Sequence, residues 1–555
     1  MSDQDAPNTT DTHAVFNQSQ PLQDYNLLYA DAVLKGLLSH FAPEVDLTPL
    51  SAYASRCGSA EVIGWGFDAN EFKPQFDSHD RFGHRVDAVR FHPAYHDLMA
   101  MALGEGLHAK PWDGSEGKHG HVLRAAYSYF QSQVEAGHGC PLTMTFAAVP
   151  TLKLTPAIAR EWLPKVLNKA YDPRNKPYFE KDAVTIGMGM TEKQGGSDVR
   201  ANTTRAEPVA GEGPGELYAL TGHKWFLSAP MCDAFLMLAQ APGGLSCFLV
   251  PRWRPDGQKN GLYVQRLKNK MGNVSNASSE VELRAAQGWM VGEEGRGVPA
   301  IIEMVALTRF DCMVGSTAGQ RQAVVQAVHH ASQRSAFGRP LLDQPLMRNV
   351  LADLQLEVEG SLAMTLRMAA ALDGGTEADQ LLLRLGSAVG KFWICKRTPG
   401  HAYEAMECLG GNGVIENCIM PRLYREAPIN AIWEGSGNIQ ALDVLRAFKK
   451  SPAVQQRWFA EMALSEGKSP TLDGAIAALK ADLADHGGAE FSARRLVERM
   501  AVCFQAAMLQ QYAIPAVAEA FIASRVASGH SMYGCLPDSC DIEAILSRAL
   551  VLGHP

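Results

Sequence analysis

The amino-acid sequence predicts a mainly α-helical protein with a small β domain at its centre. Apolar residues recur at helical spacing from about Pro21, and the same spacing returns from about Val298 onward. Between these regions, from about 184, short apolar runs are separated by turns rich in glycine and proline, which is typical of strands. A length of 555 residues is enough for three or four domains, each with its own core.

These changes of pattern predict four domains. An N-terminal helical domain, a β domain, a helical bundle and a C-terminal helical domain are expected over 1–183, 184–296, 297–450 and 451–555. In the first domain, the stretch 64–94 is rich in Gly, Asp and His and is expected to be a loop. Long helices joined by short links indicate a four-helix bundle. Its helices are expected to begin at about 298, 346, 379 and 439.

The composition limits the classes of function. A net charge of −8 provides no overall basic field for nucleic acid, so any DNA contact would have to be local. The eleven cysteines include no CxxC pair, so we expect reduced thiols, no bound metal and a cytoplasmic location. No apolar run approaches the roughly 20 residues of a membrane-spanning helix, so we expect no membrane association.

A glycine-rich loop follows the first predicted strand of the β domain. It reads Met-Gly-Met-Thr-Glu-Lys-Gln-Gly-Gly-Ser-Asp over 188–198. Gly195 and Gly196 lack Cβ atoms and let the backbone approach a flat ring or a phosphate, while Thr191 and Ser197 supply hydroxyls. An ordinary polar turn has a similar composition, so the loop alone leaves both interpretations open. Its glycine and lysine spacings exclude a P-loop and a Rossmann fingerprint.

This loop resembles the flavin-edge loop of the acyl-CoA dehydrogenase superfamily, and its Lys-Gln-Gly centre is similar to the AidB-like branch. The resemblance implies an acyl-CoA dehydrogenase-like fold, with an N-terminal helical domain, a β-barrel domain, a four-helix bundle and an extra C-terminal helical domain. It also implies FAD as the cofactor and acyl-CoA as the substrate or ligand. The loop residues expected at the flavin are Met188, Met190, Thr191, Gly196 and Ser197.

A second stretch, Gly-His-Lys-Trp-Phe-Leu-Ser over 222–228, resembles the superfamily motif that lies against the flavin. Phe226 occupies the place of the usual tryptophan, and Ser228 that of a threonine or serine. Aromatic residues in a strand more often belong to a core, but the surrounding motif favours a cofactor contact here. The resemblance therefore adds Phe226, Leu227 and Ser228 to the expected flavin site.

The stretch Ala-Ile-Trp-Glu-Gly-Ser-Gly-Asn-Ile over 431–439 resembles the segment that carries the catalytic base of the superfamily. The resemblance implies that Glu434 removes the α-proton of an acyl thioester while a hydride leaves Cβ for the flavin. A carboxylate beside an apolar chain has a raised pKa, which suits this task. A glutamate just ahead of a helix is also stabilised by the helix dipole without any chemistry. The neighbours expected at the cofactor are Ile432, Trp433, Gly435, Ser436 and Asn438.

Some members of the superfamily carry the base on the long helix, just before an arginine. Here Thr308 precedes that arginine, Arg309, and a threonine cannot act as the base. The resemblance places Arg309 at the substrate. Two further motifs resemble those that contact the FAD of a neighbouring subunit and imply a homo-oligomer, either a dimer or a homotetramer built as a dimer of dimers. They contribute Arg334 and Phe337 of Arg-x-x-Phe-Gly, and the glycine pair Gly410 and Gly411.

Basic residues cluster around Arg446, although the C-terminal region is acidic overall. Arg446 matches an arginine associated with double-stranded DNA in the AidB-like branch, but a solvated helix face has the same composition. Three functions therefore remain open. The first is an FAD-containing protein with weak dehydrogenation of acyl-CoA and a DNA-associated role against alkylation damage. The others are a metabolic acyl-CoA dehydrogenase or long-chain acyl-CoA binder without a DNA role, and a non-catalytic FAD scaffold.

Overall fold

The computed structural model describes residues 12–484, 489–529 and 532–551. Its N-terminal part is helical and carries one two-stranded hairpin. The elements of this part are α1 (Ala32–Phe41), α2 (Thr48–Cys57), α3 (Ala60–Glu71), β1 (Gln75–His79), β2 (Arg85–Arg90), α4 (Pro93–Gly104), α5 (Lys110–Asp113), α6 (Gly120–Val134), α7 (Gly139–Lys153) and α8 (Pro156–Val166).

The expectation of a loop over 64–94 is wrong, because α3 continues to Glu71 and the antiparallel pair β1–β2 follows it. The Ser59 side chain caps α3 by accepting from the Val62 N–H at 3.3 Å. A lone two-stranded hairpin is marginally stable. Here the Arg85 guanidinium donates to the Val264 carbonyl of the β domain, a tertiary contact that local patterning does not reveal.

The central β domain is a closed barrel with additional strands. Its strands are β3 (Ile186–Gly189), β4 (Arg205–Pro208), β5 (Leu217–Ser228), β6 (Ala234–Ala241), β7 (Gly244–Pro251), β8 (Leu262–Leu267) and β9 (Ser278–Val291). Antiparallel pairing runs from β4 through β5, β9 and β7 to β6, and the pair Arg205–Gln240 joins β6 back to β4. Strand β3 adds to β6 in parallel, and β8 adds to β9. Closure leaves few exposed strand edges.

The second half of the described chain is helical. The bundle and its short hairpin are α9 (Gly297–Gln333), β10 (Ser335–Ala336), β11 (Arg339–Pro340), α10 (Pro345–Gly374), α11 (Glu377–Glu407), α12 (Met420–Glu426), α13 (Ile429–Ile432) and α14 (Gly437–Lys450). The C-terminal helices are α15 (Pro452–Ala463), α16 (Pro470–Ala484), α17 (Ala489–Tyr512), α18 (Pro515–Phe521) and α19 (Ile542–Leu546). The predicted fold class, mainly α with a central β domain, is confirmed. Among the residues described, no helix is long and apolar enough to cross a bilayer.

Helix α9 is the central element of the bundle, and it contacts α6, α7, α10 and α11. Buried residues occur around its whole circumference, as expected for a helix enclosed by others. One of its buried polar contacts is with Arg124 of α6, which donates two hydrogen bonds to Asp311 at 2.6 and 2.7 Å. Thr143 of α7 donates to the same carboxylate at 2.7 Å, so one acidic side chain joins three helices.

The C-terminal helices dock on the bundle through buried ion pairs. Arg525 pairs with Asp353 of α10, and Arg548 donates to Glu359 of the same helix at 2.7 and 3.0 Å. The Asp353 carboxylate also accepts the Gly534 N–H at 2.9 Å. These carboxylates are fully buried, so their partners are needed to offset the cost of removing them from water.

Substitution Arg124→Met tests the junction of α6, α7 and α9. It should leave the Asp311 carboxylate buried without its cation, a change that costs about 3–5 kcal/mol. We expect the thermal midpoint to fall by several degrees in differential scanning calorimetry. The matched variant Arg160→Met removes an exposed guanidinium that has no partner in the described part of the chain, and it should leave the midpoint within about one degree. Equal midpoints for the two variants would contradict this account of the junction.

Candidate functional site

The glycine-rich loop after β3 is organised around a buried carboxylate. Glu192 accepts the backbone N–H groups of Thr203 and Thr204 at 2.7 and 3.1 Å, and pairs with the Lys224 ammonium at 3.0 Å. Lys224 also donates to the Leu238 carbonyl at 2.7 Å. Burial alone would raise the pKa of Glu192, but Lys224 and the donated hydrogen bonds hold that pKa well below its usual range. The loop is therefore anchored to the barrel by an ionised pair.

The anchored loop leaves two hydroxyls without a partner in the described chain, those of Thr191 and Ser197. Gly196 lies against Thr191, because a Cβ atom at Gly196 would stand 2.4 Å from the Thr191 hydroxyl oxygen. The Trp225 N–H donates to the Thr191 carbonyl at 2.9 Å, which brings the two predicted flavin motifs together. Met188 and Met190 are partly exposed beside them. This pairing of open hydroxyls with a close-approach glycine suits a flat polar ring.

The second motif presents its residues in alternation, as a strand does. Leu227 is buried in the barrel core, so only its backbone can reach a ligand. Phe226 is 46% exposed on the other face, and the Lys268 ammonium lies 4.5 Å from its ring centroid. The Ser228 hydroxyl oxygen lies 3.1 Å from that of Ser278 on the neighbouring strand β9.

Glu434 lies on a strained turn between α13 and α14. Its φ is +58°, which is unusual for a residue with a side chain, and φ of Gly435 is +97°. Three side chains hold the carbonyl groups of this turn. Lys391 donates to two of them at 2.7 and 2.5 Å, Gln440 to two at 3.0 and 2.9 Å, and Arg309 to that of Glu434 at 3.1 Å.

The Glu434 carboxylate is itself oriented. The Thr308 hydroxyl donates to Glu434 Oε2 at 2.7 Å. Burial raises the pKa of the Glu434 carboxyl, while the Thr308 bond and the positive charges of Lys391 and Arg309 oppose part of that rise. A carboxylate with a raised pKa is a better base, so this arrangement can perform proton abstraction.

Arg309 is directed toward the protein in this structure. Besides the Glu434 carbonyl, it pairs with Asp443 of α14 at 2.9 Å, and Arg384 donates to the same carboxylate at 3.0 and 2.8 Å. Sequence reasoning missed Lys391, Gln440 and Asp443 as parts of the site. No signal in the helical pattern could have identified them, because each lies on a helix whose periodicity is explained by packing alone.

The remaining predicted residues lie at exposed or partly exposed positions. Ile432 is 66% exposed, Ser436 and Asn438 are exposed at the start of α14, and the Trp433 indole donates to Asn430 at 2.9 Å. Arg334 donates to the Asn17 carbonyl, and Phe337 is fully exposed at the β10–β11 turn. At Gly410 and Gly411 an added Cβ would meet nothing within 4 Å. All of these groups are accessible in a single chain.

Comparison with known proteins identifies the class of protein. The family described as the adaptive response protein AidB N-terminal domain matches residues 17–173. The acyl-CoA dehydrogenase middle domain and C-terminal domain match 187–286 and 295–449. The chain is 44% identical to AidB of Escherichia coli over 92% of its own length and 94% of that protein. It is 30% identical to acyl-CoA dehydrogenase family member 11 of Caenorhabditis elegans over 78% and 72% of the two chains.

Solved structures agree with these matches. The crystal structure of Caenorhabditis elegans ACDH-11 in complex with C11-CoA has a TM-score of 0.82 and 26% identity, covering 98% of this chain and 94% of that one. The apo-form of Bd2924 also has a TM-score of 0.82, at 27% identity over 89% and 99% of the chains. Butyryl-CoA dehydrogenase of Megasphaera elsdenii shares the fold, with a TM-score of 0.57 at 18% identity over 75% and 98%. The class is therefore that of the acyl-CoA dehydrogenases. Within it, the chain belongs to the AidB-like family, an outcome that confirms the resemblance.

The protein is accordingly an FAD-dependent acyl-CoA dehydrogenase oxidoreductase. The residues present fit the cofactor. The loop offers two hydroxyls without partners in the described chain and a glycine where a Cβ could not be accommodated. Donors and acceptors of this kind match the polar edge of an isoalloxazine ring.

Substitution Glu192→Gln tests the anchoring of the loop. It should leave the buried Lys224 ammonium without its counter-charge and loosen the backbone of 191–204, because the neutral amide accepts more weakly. We expect the dissociation constant for FAD to rise at least about tenfold in a fluorescence titration. Glu207→Gln changes an exposed glutamate of β4 and should leave that constant unchanged. An unaltered FAD affinity in Glu192→Gln would show that the loop does not depend on this pair.

Proposed function

We propose that the protein carries out a weak α,β-dehydrogenation of acyl-CoA thioesters with Glu434 as the base. The observation that carries this proposal is the carboxylate of Glu434, held on a strained turn by donors from α9, α11 and α14. Backbone strain that is fixed by several independent contacts is a frequent feature of active sites. The acyl-CoA class is supported by ACDH-11, which was solved in complex with C11-CoA.

In this proposal the Glu434 carboxylate takes the α-proton of the thioester. The Glu434 backbone N–H has no hydrogen-bond partner in the described chain, so it is free to donate to the thioester oxygen as that oxygen gains charge. Bound FAD supplies the acceptor for the hydride that leaves Cβ. Thr308 keeps the carboxylate in one orientation, but its hydrogen bond also favours the ionised form and so weakens the base. This opposition is the reason why we propose a weak activity.

The proposed cofactor site extends beyond one chain. We assign the two barrel motifs, the turn at Glu434 and Arg309, the predicted substrate residue, to one subunit. We assign the partly buried Arg334 and the exposed residues Phe337, Gly410 and Gly411 to the FAD of a neighbour. A fully exposed phenylalanine at a turn favours an additional surface that covers it. We propose a homotetramer arranged as a dimer of dimers.

Substitution Glu434→Gln tests the base. The amide retains the shape of the side chain but cannot accept a proton, and general bases contribute about 10²- to 10⁴-fold to a rate. We expect FAD to remain bound and flavin bleaching by a panel of acyl-CoAs under anaerobic conditions to slow by at least about a hundredfold. Glu303→Gln alters an exposed glutamate of α9 and should bleach at the wild-type rate. Unchanged bleaching in Glu434→Gln would refute the assignment, and no bleaching of the wild type by any acyl-CoA would favour a non-catalytic scaffold.

A second candidate role, protection of double-stranded DNA against alkylation damage in the cytoplasm, is favoured by a basic stripe on α14. Arg446, Lys449 and Lys450 are exposed at helical spacing and have no partner in the described part of the chain. Two other basic residues near the C-terminus are neutralised, since Arg457 pairs with Glu461 and Arg499 with Asp482. An unpaired stripe of this kind supports a local contact with phosphates in a protein that is acidic overall.

Replacing Arg446, Lys449 and Lys450 together by alanine tests the DNA contact. We expect the logarithm of the wild-type affinity for a duplex to fall linearly with the logarithm of the salt concentration, with a slope of about 0.9 per phosphate contacted. The variant should lose most of that slope. Fluorescence anisotropy over a salt series provides the measurement. The control variant removes the same number of positive charges by replacing the exposed residues Lys73, Lys118 and Arg160 with alanine. It should keep the slope. No detectable wild-type binding at low salt would eliminate the DNA role.

A further inference from the structure

A lysine ammonium lies behind the serine of the second flavin motif. Lys270, in the loop between β8 and β9, donates to the Ser278 hydroxyl oxygen at 2.9 Å and to the Asn276 carbonyl at 2.7 Å. The Ser278 hydroxyl oxygen in turn lies 3.1 Å from that of Ser228. The three side chains form a continuous chain from an ammonium group to the hydroxyl at the end of β5.

The chemistry of the groups sets where this chain begins. An ammonium can only donate, so Ser278 accepts from Lys270, and its own single proton is available to the Ser228 hydroxyl oxygen 3.1 Å away. When Ser278 donates that proton, the Ser228 hydroxyl accepts it and keeps its own proton for another acceptor. The Cys140 thiol also lies close to it, and sulfur is a weak acceptor. Ser228 is thereby prepared to donate to a ligand.

The loop that carries Lys270 is held by two other domains. The Ser275 hydroxyl donates to Glu135 at the end of α6 at 2.8 Å, and the backbone and side chain of Asn273 both donate to Glu426 of α12. At Gly272 an added Cβ would stand 2.3 Å from the Arg425 carbonyl oxygen, so the backbone is in close contact there. The position of the ammonium is therefore fixed before any ligand binds.

The charge on Lys270 is available to act on a ligand. Burial lowers the pKa of Lys270 to about 8, while Cys140, Glu426 and Glu135, which face it from α7, α12 and α6, act to raise it. The group is thus largely protonated at neutral pH. Within the described ranges it forms no ion pair, so its field is not cancelled by a contacting carboxylate.

We infer that Lys270 is a positioning residue for the flavin, which acts through Ser278 to hold Ser228 as a hydrogen-bond donor toward the flavin edge and so favours the reduced cofactor. This inference rests on the proposed function, because the place of Ser228 at the flavin belongs to it. A flavin that has taken up a hydride is richer in electrons than the oxidised ring, so a fixed donor and a nearby positive charge stabilise it more. Hydrogen bonds in a chain also strengthen one another.

Lys270→Met and Ser278→Ala, each in the FAD-loaded full-length protein, test the inference by two readouts other than turnover. These are the midpoint potential of the bound flavin and the dissociation constant for sulfite, an anion that adds to electron-poor flavins. We expect Lys270→Met to weaken sulfite binding about tenfold. We expect it to lower the midpoint potential by about 30 mV, which corresponds to a tenfold change in an equilibrium constant for a two-electron couple. Ser278→Ala should act in the same direction. The double variant should be no worse than the stronger single one, because both interrupt one chain.

The control Lys73→Met removes an exposed ammonium and should change neither quantity. Unchanged potential and sulfite affinity in both single variants would overturn the inference, as would effects that add fully in the double variant. Should Lys270→Met fail to fold, Ser278→Ala alone decides, because it removes one hydroxyl and no charge. A wild-type protein that takes up no FAD would overturn the proposed function as well, whereas bound FAD with unaltered potentials overturns this inference only.

Discussion

The site depends on the ammonium of Lys391, which holds the turn that carries Glu434. Lys391 is buried in α11 and donates to the two carbonyls that flank Glu434. Without such donors, a non-glycine residue in the left-handed region would relax, because strain of this kind costs about 1–3 kcal/mol. The turn therefore exists only because α11 delivers a cation to it, and α9 and α14 add Arg309 and Gln440. The position of the carboxylate is a property of the assembled bundle.

Two glutamates of the chain show how different surroundings give identical side chains different pKa values. Glu192 pairs with a buried ammonium and accepts hydrogen bonds from backbone N–H groups. Its pKa is therefore depressed, and it serves as a fixed anchor. Glu434 is also removed from water, but it receives one hydroxyl donor and only indirect help from nearby cations, so its pKa is raised. The first glutamate holds a loop, and the second retains the affinity for a proton that a base requires.

Sequence motifs predicted the fold class and the class of enzyme, since the loop after β3, the strand motif at 222–228 and the turn at 431–439 are local signatures. The residues that support them could not be predicted in the same way. Thr308 is excluded as a base by its residue type alone, yet its hydroxyl donates to the carboxylate of Glu434, the proposed base. Lys391 comes from α11, which precedes the turn by many residues, and Asp443 lies on α14, which follows the turn directly; the periodicity of both helices indicates packing only. The β1–β2 hairpin was missed because its stability comes from the barrel and not from its own short strands.

Taken alone, the sequence indicated the fold class and most of the helices and strands, because periodicity and short motifs are encoded within neighbouring residues. Tertiary structure alone decided how each functional side chain is held and charged. Hydrogen bonds to Glu434, the ion pair at Glu192 and the chain from Lys270 to Ser228 each join residues that are distant in sequence. Their pKa values and orientations depend on burial and on partners within a few ångströms, and those quantities exist only once the domains have packed together.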